Sequence, residues 1–323
     1  LLMKIGIDIG YGFTKAINEC GEKLIFPSLV APAGHDALSG MFSQTEEYRV
    51  KIKNGHYNND LLIGEAAKHS FAVTQVLNKV KPADLHDPLV FTCIGLLGQN
   101  NPELTIGVGL PLAYYASQKE GLQARLNQLS SYITINGKDH NIKQIKAEVF
   151  PQGAGVLLAS NGLPSKGYIG VIDPGTYTTE YLLFEMRNGQ PVPIHEACGS
   201  VEVGTSLVYT TVAREFQAQT GSPLPIGMEH EITLQALNRE TIKYYDKTYS
   251  LSDAAYQARN NVATAINQKV LAAWGNRTGY IQNTFLAGGG SLFFGAELYK
   301  SFPSVTIVDD PVFANAYGYL AFL

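Results

Sequence analysis

The chain has 323 residues, of which 45% are hydrophobic and only 16% carry a formal charge. This length suits two domains or one large bilobed unit, and the hydrophobic share is enough for a substantial core. A net charge of -4 and the lack of any Lys/Arg run argue against a surface built mainly to hold nucleic acid.

Cysteine spacing favours a reducing compartment, and hydropathy indicates no segment that crosses a membrane. The three cysteines are Cys20, Cys93 and Cys198. Their wide spacing predicts neither a disulfide framework nor a zinc site. Leu1 and Leu2 precede Met3, where we expect the natural start, and a strand follows with no secretory segment. The most apolar stretch, 89–98, is far shorter than the ~20 residues that cross a bilayer. We expect a cytoplasmic protein without membrane contact.

The first half alternates strands and helices around an irregular insertion at 27–56, rich in Pro, Gly and polar residues. In chain order we predict strands at 4–9, 13–18 and 23–26, helices at 64–67 and 84–97, a strand at 104–109, a helix at 111–130, and strands at 131–135 and 142–150. The segment Pro151-Gln152-Gly153-Ala154-Gly155 then leads into an apolar helix that reaches about residue 160.

The second half begins like the first. We predict strands at 168–172 and 179–185, a helix at 205–220 stopped by Gly221, a helix at 252–274 capped by Ser252, strands at 283–287 and 305–308, and a helix from Pro311. This alternation predicts an α/β protein. A unit of strand, Asp-x-Gly turn and returning strand occurs at Asp8 and again 165 positions later at Asp173. The repetition predicts two similar lobes.

The residues of the two turns suit a phosphate ligand. Glycines let backbone N–H groups approach phosphate oxygens, and the hydroxyl of Thr14 can add a donor. Lys15 places a point charge within reach of a β- or γ-phosphate. Asp8 at the strand end can hold a hydrated Mg²⁺, and the turn after Asp173 offers the same parts without the lysine. Either turn alone also fits a purely structural hairpin.

Five motifs in order make the chain resemble the actin/Hsp70/sugar-kinase superfamily. Within it, the chain most resembles actin-like ATPases of the ParM/StbA plasmid-segregation type and archaeal actin-like proteins. The motifs lie at 7–15, 151–160, 172–179, 286–291 and 313–318. The resemblance implies a two-lobed actin-like (ribonuclease H-like) fold, each lobe a mixed sheet flanked by helices, with nucleotide in the cleft between.

The resemblance also implies domain bounds. The first lobe would span 1–150 with a small subdomain at about 27–95. The second would span 151–310 with a small subdomain at about 205–262, and the helix at 311–323 would pack back on the first lobe.

The resemblance assigns roles to particular residues. Gln152 would orient the attacking water, and Asp8 and Asp173 would be catalytic and hold the metal through water. The implied nucleotide-binding residues are Gly10, Tyr11, Gly12, Phe13, Thr14, Lys15, Gly175, Thr176, Tyr177, Thr178, Gly288, Gly289, Gly290, Ser291 and Asn315. Alternatives stay open: Gln152 as a helix cap, the glycines as a bare turn, and Asn315 as a packing residue. Arg214 or Gln217 would face adenine.

The implied function is hydrolysis of ATP (or GTP) with Mg²⁺, coupled to a homopolymeric filament that moves plasmid DNA through a DNA-binding adaptor. Alternatives are a non-polymerising scaffold ATPase and a small-molecule, sugar-type kinase. Interface candidates are Phe42, Tyr48, Tyr57, Tyr244 and Tyr245. The seven histidines share no spacing, and we expect no metal or catalytic role for them: His35, His56, His69, His86, His140, His195 and His230.

Overall fold

A computed structural model of the chain describes residues 3–34, 48–54, 57–68, 70, 72–75, 82–160 and 163–323. The chain divides into two compact units, Leu1–Ala159 with Val312–Leu323, and Ser160–Pro311. The C-terminal segment therefore belongs to the unit that contains the N-terminus.

The bounds of the regular elements in the described residues are as follows. The strands are β1 (Met3–Ile9), β2 (Phe13–Asn18), β3 (Lys23–Pro27), β4 (Leu29–Pro32), β5 (Tyr48–Asn54), β6 (Tyr57–Ile63), β7 (Thr74–Gln75), β8 (Glu103–Leu110), β9 (Ser131–Ile135), β10 (Lys138–Ile142), β11 (Gln144–Pro151), β12 (Gly167–Pro174), β13 (Thr179–Arg187), β14 (Gln190–Pro193), β15 (Gly199–Val201), β16 (Ile242–Tyr244), β17 (Lys247–Tyr249), β18 (Ile281–Leu286) and β19 (Val305–Ile307). The α-helices are α1 (Ala83–Leu97), α2 (Leu112–Asn127), α3 (Thr205–Thr220), α4 (Glu229–Leu237), α5 (Ser252–Trp274), α6 (Gly289–Leu298) and α7 (Ala314–Phe322), and short 3₁₀ segments span Gly64–Ala67, Ala154–Ala159, His195–Ala197 and Gly275–Tyr280.

The main sheet of the first unit has the strand order β11-β8-β1-β2-β3, with β1 parallel to β8 and antiparallel to β2. Alternate residues of β1 point to opposite faces, so Ile5, Ile7 and Ile9 fill the core on one side. Gly6 lies on the other side against the backbone of α7, where a Cβ would meet the carbonyl of Ala316. This close approach seats the C-terminal helix on the sheet.

A second sheet of the first unit follows the order β10-β9-β5-β6-β4-β7. An ion pair joins two of its strands: the Arg49 guanidinium of β5 donates two hydrogen bonds to the Asp60 carboxylate of β6. Helix α1 packs against this sheet: a Cβ on Gly95 would lie 2.5 Å from the Ile135 side chain. The strands β9 and β10 of this sheet lie outside the segment 27–95 that the resemblance implies for a small subdomain.

The main sheet of the second unit repeats the plan of the first. Its order is β14-β13-β12-β18-β19, with β12 parallel to β18 and antiparallel to β13. Trp274, at the end of α5, is fully buried against Gly170 of β12 and donates its indole N–H to Ala197. A separate apolar cluster joins α3, α4 and the β16–β17 hairpin around Phe216. The predicted repetition of a sheet within the chain is confirmed at the level of topology.

Several predicted elements differ from the observed ones. The segment 27–56 is not irregular where it is described: it contains β4, which pairs with β6 and β7, and β5, which pairs with its neighbour β6 and with the distant β9. The strand predicted at 142–150 is β11, but it begins at Gln144, because Ile142 ends the unpredicted β10 and pairs with Ser131 in the other sheet. The apolar helix after residue 153 is a short 3₁₀ segment.

One predicted helix cap and one predicted helix start are wrong, although α5 spans Ser252–Trp274 as predicted. Ser252 makes no side-chain cap; Leu251 is the N-cap of α5 and is buried in the Phe216 cluster, so packing sets this start. Pro311 does not open a helix, because its carbonyl accepts the N–H of Gly288 and α7 begins only at Ala314.

Candidate functional site

The first Asp-x-Gly turn is a tight connection of three residues between β1 and β2. The last paired residues are Ile9 and Thr14, and the N–H of Gly10 donates to the carbonyl of Phe13 at 3.0 Å. A Cβ on Gly10 would lie 2.8 Å from that carbonyl oxygen. The turn therefore requires glycine at this position, for reasons of space alone.

Asp8 is the residue on which the predicted groups of the first unit converge. Its carboxylate is 4% exposed, with Oδ2 bonded to Lys15 Nζ at 3.0 Å and Oδ1 accepting from Gln152 Nε2 at 3.0 Å. Lys15 is the direct cross-strand neighbour of Asp8, whereas Gln152 comes from the end of β11, 144 residues away. A Cβ on Gly10 would lie 3.3 Å from Lys15 Nζ, which places the ammonium beside the glycine turn.

Gln152 stands on a corner that is fixed by other parts of the first unit. Its N–H donates to the carbonyl of Leu110, and the next residue, Gly153, has φ +82°. The N–H of Gly153 donates to Oδ1 of Asn315 in α7 at 2.9 Å. The predicted site residues Gln152 and Asn315 thus lie next to each other, joined through the backbone.

The second turn has the same geometry within its own unit. Pro174 pairs with Thr179, and the N–H of Gly175 donates to the carbonyl of Thr178 at 2.8 Å. The two turns differ at the preceding cross-strand pair, which contains the aspartate. The position of Lys15 in the first turn is taken by Glu180, which lies opposite Asp173; both side chains are buried.

The glycine turn at the start of α6 lies directly against the second Asp-x-Gly turn. A Cβ on Gly288 would meet Oδ1 of Asp173, and one on Gly290 would lie 2.7 Å from the Pro174 side chain. Gly289, by contrast, is exposed and faces open space. Ser291 is fully buried, and its hydroxyl donates to the carbonyl of Gly288 at 2.7 Å. The structure therefore brings together two predicted motifs 115 positions apart.

The start of α3 completes the second turn and was not predicted as part of the site. The N–H groups of Thr205 and Ser206 donate to the carbonyls of Gly175 and Thr176 at 3.2 and 2.8 Å. A Cβ on Gly204 would lie 2.6 to 2.7 Å from the same two carbonyl oxygens. The sequence signal was the glycine before a Thr-Ser helix start, a pattern too common to single out.

The other predicted site residues range from fully buried to exposed. Thr14 is fully buried and shares a hydrogen bond with Ser28, at 2.9 Å between the hydroxyl oxygens. Tyr11 is buried, and Gly12, Phe13 and Tyr177 are half-buried. Arg214 and Gln217 are exposed on α3.

An aromatic cluster lies near the α6 turn. The Tyr209 ring of α3 meets the rings of His230 and Phe293 edge to face, with centroids 5.5 and 6.1 Å away. Burial raises the pKa of Tyr209 to about 12.

The interface candidates separate by exposure. Tyr245 is 82% exposed at the tip of the β16–β17 hairpin, whereas Tyr244 packs partly into the Phe216 cluster. Tyr48 is half-buried and meets Phe26 edge to face. Phe42 and the Tyr57 side chain lie outside the described residues.

No group of three or more His, Cys, Asp or Glu among the described residues is arranged to hold a metal ion. The donor chemistry still fits Mg²⁺, which keeps several waters and takes one or two carboxylates together with phosphate oxygens. Asp8 and Asp173, each at the end of a strand beside a glycine turn, are carboxylates of that kind. The histidines His35, His56 and His69 lie outside the described residues.

Models of known families match both halves of the chain. "Actin like proteins N terminal domain" matches residues 6–155, and "Archaeal actin homologue MreB-like, C-terminal" matches residues 171–300. A ParM filament structure from Clostridium botulinum has a TM-score of 0.88 and 27% identity, covering 99% of this chain and 98% of that one. The chain has the actin-like ATPase fold of the ParM type.

Two further relatives align with nearly the whole chain. An archaeal actin homologue of Thermoplasma volcanium is 24% identical over 98% of both chains. The crystal structure of an archaeal actin homologue in complex with ADP has a TM-score of 0.79 and 21% identity, covering 99% of this chain and 98% of that one. In the part of the chain that the structure describes, no helix is long and apolar enough to span a membrane.

Proposed function

We propose that the chain binds ATP (or GTP) with Mg²⁺, hydrolyses it and assembles into nucleotide-dependent filaments. The observation that carries the proposal is the Asp8 carboxylate, which bonds Lys15 and Gln152 beside a tight glycine turn. A cation, an amide and a carboxylate at one turn are groups that phosphoanhydride hydrolysis uses for positioning and charge neutralisation. The relative solved with ADP supports nucleotide binding within this fold.

Each group of the first turn has a role in this proposal. The backbone N–H groups of Tyr11, Gly12 and Phe13 would approach phosphate oxygens, and the Lys15 ammonium would neutralise β- or γ-phosphate charge. Gln152 can both donate to and accept from water, so its amide would orient the attacking molecule in line with the γ-phosphate. Asp8 would then hold Mg²⁺ through water.

The turn of the second unit offers matching groups. Asp173 would be a carboxylate toward the metal, and the N–H groups of Thr176, Tyr177 and Thr178 would donate to phosphate. The exposed Gly289 would let the nucleoside approach the backbone, because a side chain is lacking there. This role is supported by the packing of Gly288 on Asp173, which joins the proposed phosphate and nucleoside contacts in one unit.

We propose self-assembly because a similar protein forms filaments and because this chain has few charged residues. The Clostridium botulinum relative is a protein solved as a 15-stranded filament. A charged fraction of 16% leaves weakly charged surfaces, which favour contact between copies. We further propose that the filaments act in the cytoplasm and move plasmid DNA through a DNA-binding adaptor, without direct contact to nucleic acid or membrane.

The test pairs hydrolysis with assembly. Phosphate release and pelleting are measured with ATP, ADP and a non-hydrolysable ATP analogue, for the wild type, Asp173→Asn and the exposed-carboxylate control Asp139→Ala. We expect polymer with the triphosphates, and an Asp173→Asn rate lower by about 10²-fold or more. Wild-type turnover in Asp173→Asn would refute the metal role.

The alternative functions give different outcomes in the same assay. Hydrolysis without polymer at any protein concentration would indicate a scaffold ATPase. Phosphate transfer to a sugar rather than to water would indicate a small-molecule kinase.

A further inference from the structure

The C-terminal helix α7 holds the corner that presents Gln152. Oδ1 of Asn315 accepts the N–H of Gly153 at 2.9 Å, and Asn315 is only 6% exposed. One turn further along α7, Gly318 packs on Gly155, so closely that a Cβ on Gly155 would lie 2.5 Å from the Gly318 Cα atom. Two successive contacts therefore fix the segment that follows β11.

These contacts determine where the Gln152 main chain can lie. On its N-terminal side, Gln152 donates its N–H to the carbonyl of Leu110 at the end of β8. On its C-terminal side, Gly153 turns the backbone at φ +82° and is held by Asn315. With both sides fixed, the side chain reaches Asp8, and Nε2 donates to Oδ1 at 3.0 Å.

We propose that Asn315 is a positioning residue for the Gln152 amide and does not contact the nucleotide. The inference rests on the proposed function, in which Gln152 orients the attacking water. The oxygen of the Asn315 amide is already bonded to the Gly153 N–H inside the first unit. Without this acceptor the corner relaxes, and the amide no longer lies at the distance and angle that in-line attack requires.

Loss of the Asn315 acceptor should change turnover and nucleotide affinity by different amounts. A displacement of about 1 Å in a positioned group can lower a rate by ~10²-fold, so loss of the acceptor should lower turnover by about 10- to 100-fold. Nucleotide affinity should change by less than about threefold, because no direct contact is lost. A residue that bound the nucleotide would give the reverse split.

The test uses four variants of the full chain. Asn315→Leu keeps the size and removes the acceptor, and Asn315→Asp keeps an acceptor oxygen. Gln152→Ala removes the positioned amide, and the fourth variant combines Asn315→Leu with Gln152→Ala. Single-turnover ATP hydrolysis, binding of a fluorescent ATP analogue, polymer content and thermal unfolding are measured for each. Asn315→Ser serves if the leucine variant does not fold.

The expected pattern is a slow Asn315→Leu with normal affinity, recovery in Asn315→Asp, and a double variant no slower than Gln152→Ala alone. A tenfold loss of nucleotide affinity in Asn315→Leu, or rate losses that multiply in the double variant, would overturn the inference. So would an unchanged rate in a folded Asn315→Leu. Absence of hydrolysis in the wild type would instead refute the proposed function itself, and the inference with it.

Discussion

Lys15 Nζ lies 3.0 Å from Asp8 Oδ2, because antiparallel pairing of β1 and β2 sets these two residues directly opposite each other. The pair needs no long-range packing to form. It holds the lysine side chain, which is only 15% exposed, beside the glycine turn. In the proposed function the ammonium would therefore already be in place for a phosphate, and little side-chain freedom would have to be lost on binding.

Lys15→Met should weaken the binding of a nucleoside triphosphate by about 10- to 100-fold, since a hydrogen bond to a charged group contributes ~1.5–3 kcal/mol. The methionine keeps most of the apolar stem and removes only the charge. Titration with a fluorescent ATP analogue measures the effect, and the exposed Lys143 provides the control Lys143→Met. Equal affinities for wild type and Lys15→Met would exclude Lys15 from the phosphate site.

Substitution of Gly289, the exposed glycine of the α6 turn, tests whether the nucleoside contacts this turn. Gly289 meets no atom within 4 Å of an added Cβ, so Gly289→Ala should leave stability unchanged. If the nucleoside lies against this backbone, the methyl group should lower nucleotide affinity by tenfold or more. Gly288→Ala is the contrasting variant, since its φ of +70° and its contact with Asp173 predict a loss of stability. Normal nucleotide affinity in Gly289→Ala would place the ligand elsewhere.

The contact between Gly155 and Gly318 predicts a steric cost to any side chain. Gly155→Ala and Gly318→Ala should each lower the free energy of unfolding by about 1–3 kcal/mol, because backbone atoms cannot move aside as a side chain can. Gly121→Ala in the exposed part of α2 is the matched control, and we expect a gain of about 0.5–1 kcal/mol. Urea unfolding of the three variants measures all of these values.

The cysteines should react with thiol reagents in a fixed order. Cys20 is exposed, Cys198 is partly buried, and Cys93 is fully buried in α1. Burial raises the pKa of the Cys93 and Cys198 thiols, which lowers the fraction of reactive thiolate at pH 8. A chromogenic disulfide should label Cys20 first, Cys198 slowly and Cys93 only after unfolding. Fast labelling of Cys93 in the native protein would contradict the packing of α1.

Tyr245 combines two features that favour a role in assembly. It is 82% exposed, and its φ of +51° lies in the left-handed region, which is unfavourable for a bulky side chain. Tyr245→Asn should therefore leave the stability of the monomer unchanged or slightly raised, since asparagine tolerates this conformation. We expect the critical concentration for polymer to rise about tenfold or more.

Pelleting assays measure this effect, with the exposed Tyr280→Asn as a control. Unaltered assembly in Tyr245→Asn would remove the hairpin tip from the interface.

The two hairpin turns were predictable because each is local. An apolar strand, an aspartate, a glycine two residues later and a returning strand lie within 15 residues at 4–18 and within 18 residues at 168–185. Periodicity and turn chemistry therefore indicate both the turn and the cross-strand pair. The same local reading failed for β4, whose partners β6 and β7 lie further along the chain, and it missed β5, although the pairing of β5 with β6 is local. It also failed at Ile142 and Gln144, which belong to different sheets although only Lys143 separates them.

The sequence by itself determined the α/β class, the repeated strand-turn-strand unit and the residue types beside each turn, because these depend on neighbours along the chain. Only the tertiary structure decided that Gln152 bonds to Asp8, that Gly288 packs on Asp173, and that Asn315 holds Gly153. Each of these contacts joins segments more than a hundred residues apart. Their geometry follows from packing of the sheet, the turns and α7, which no local pattern specifies.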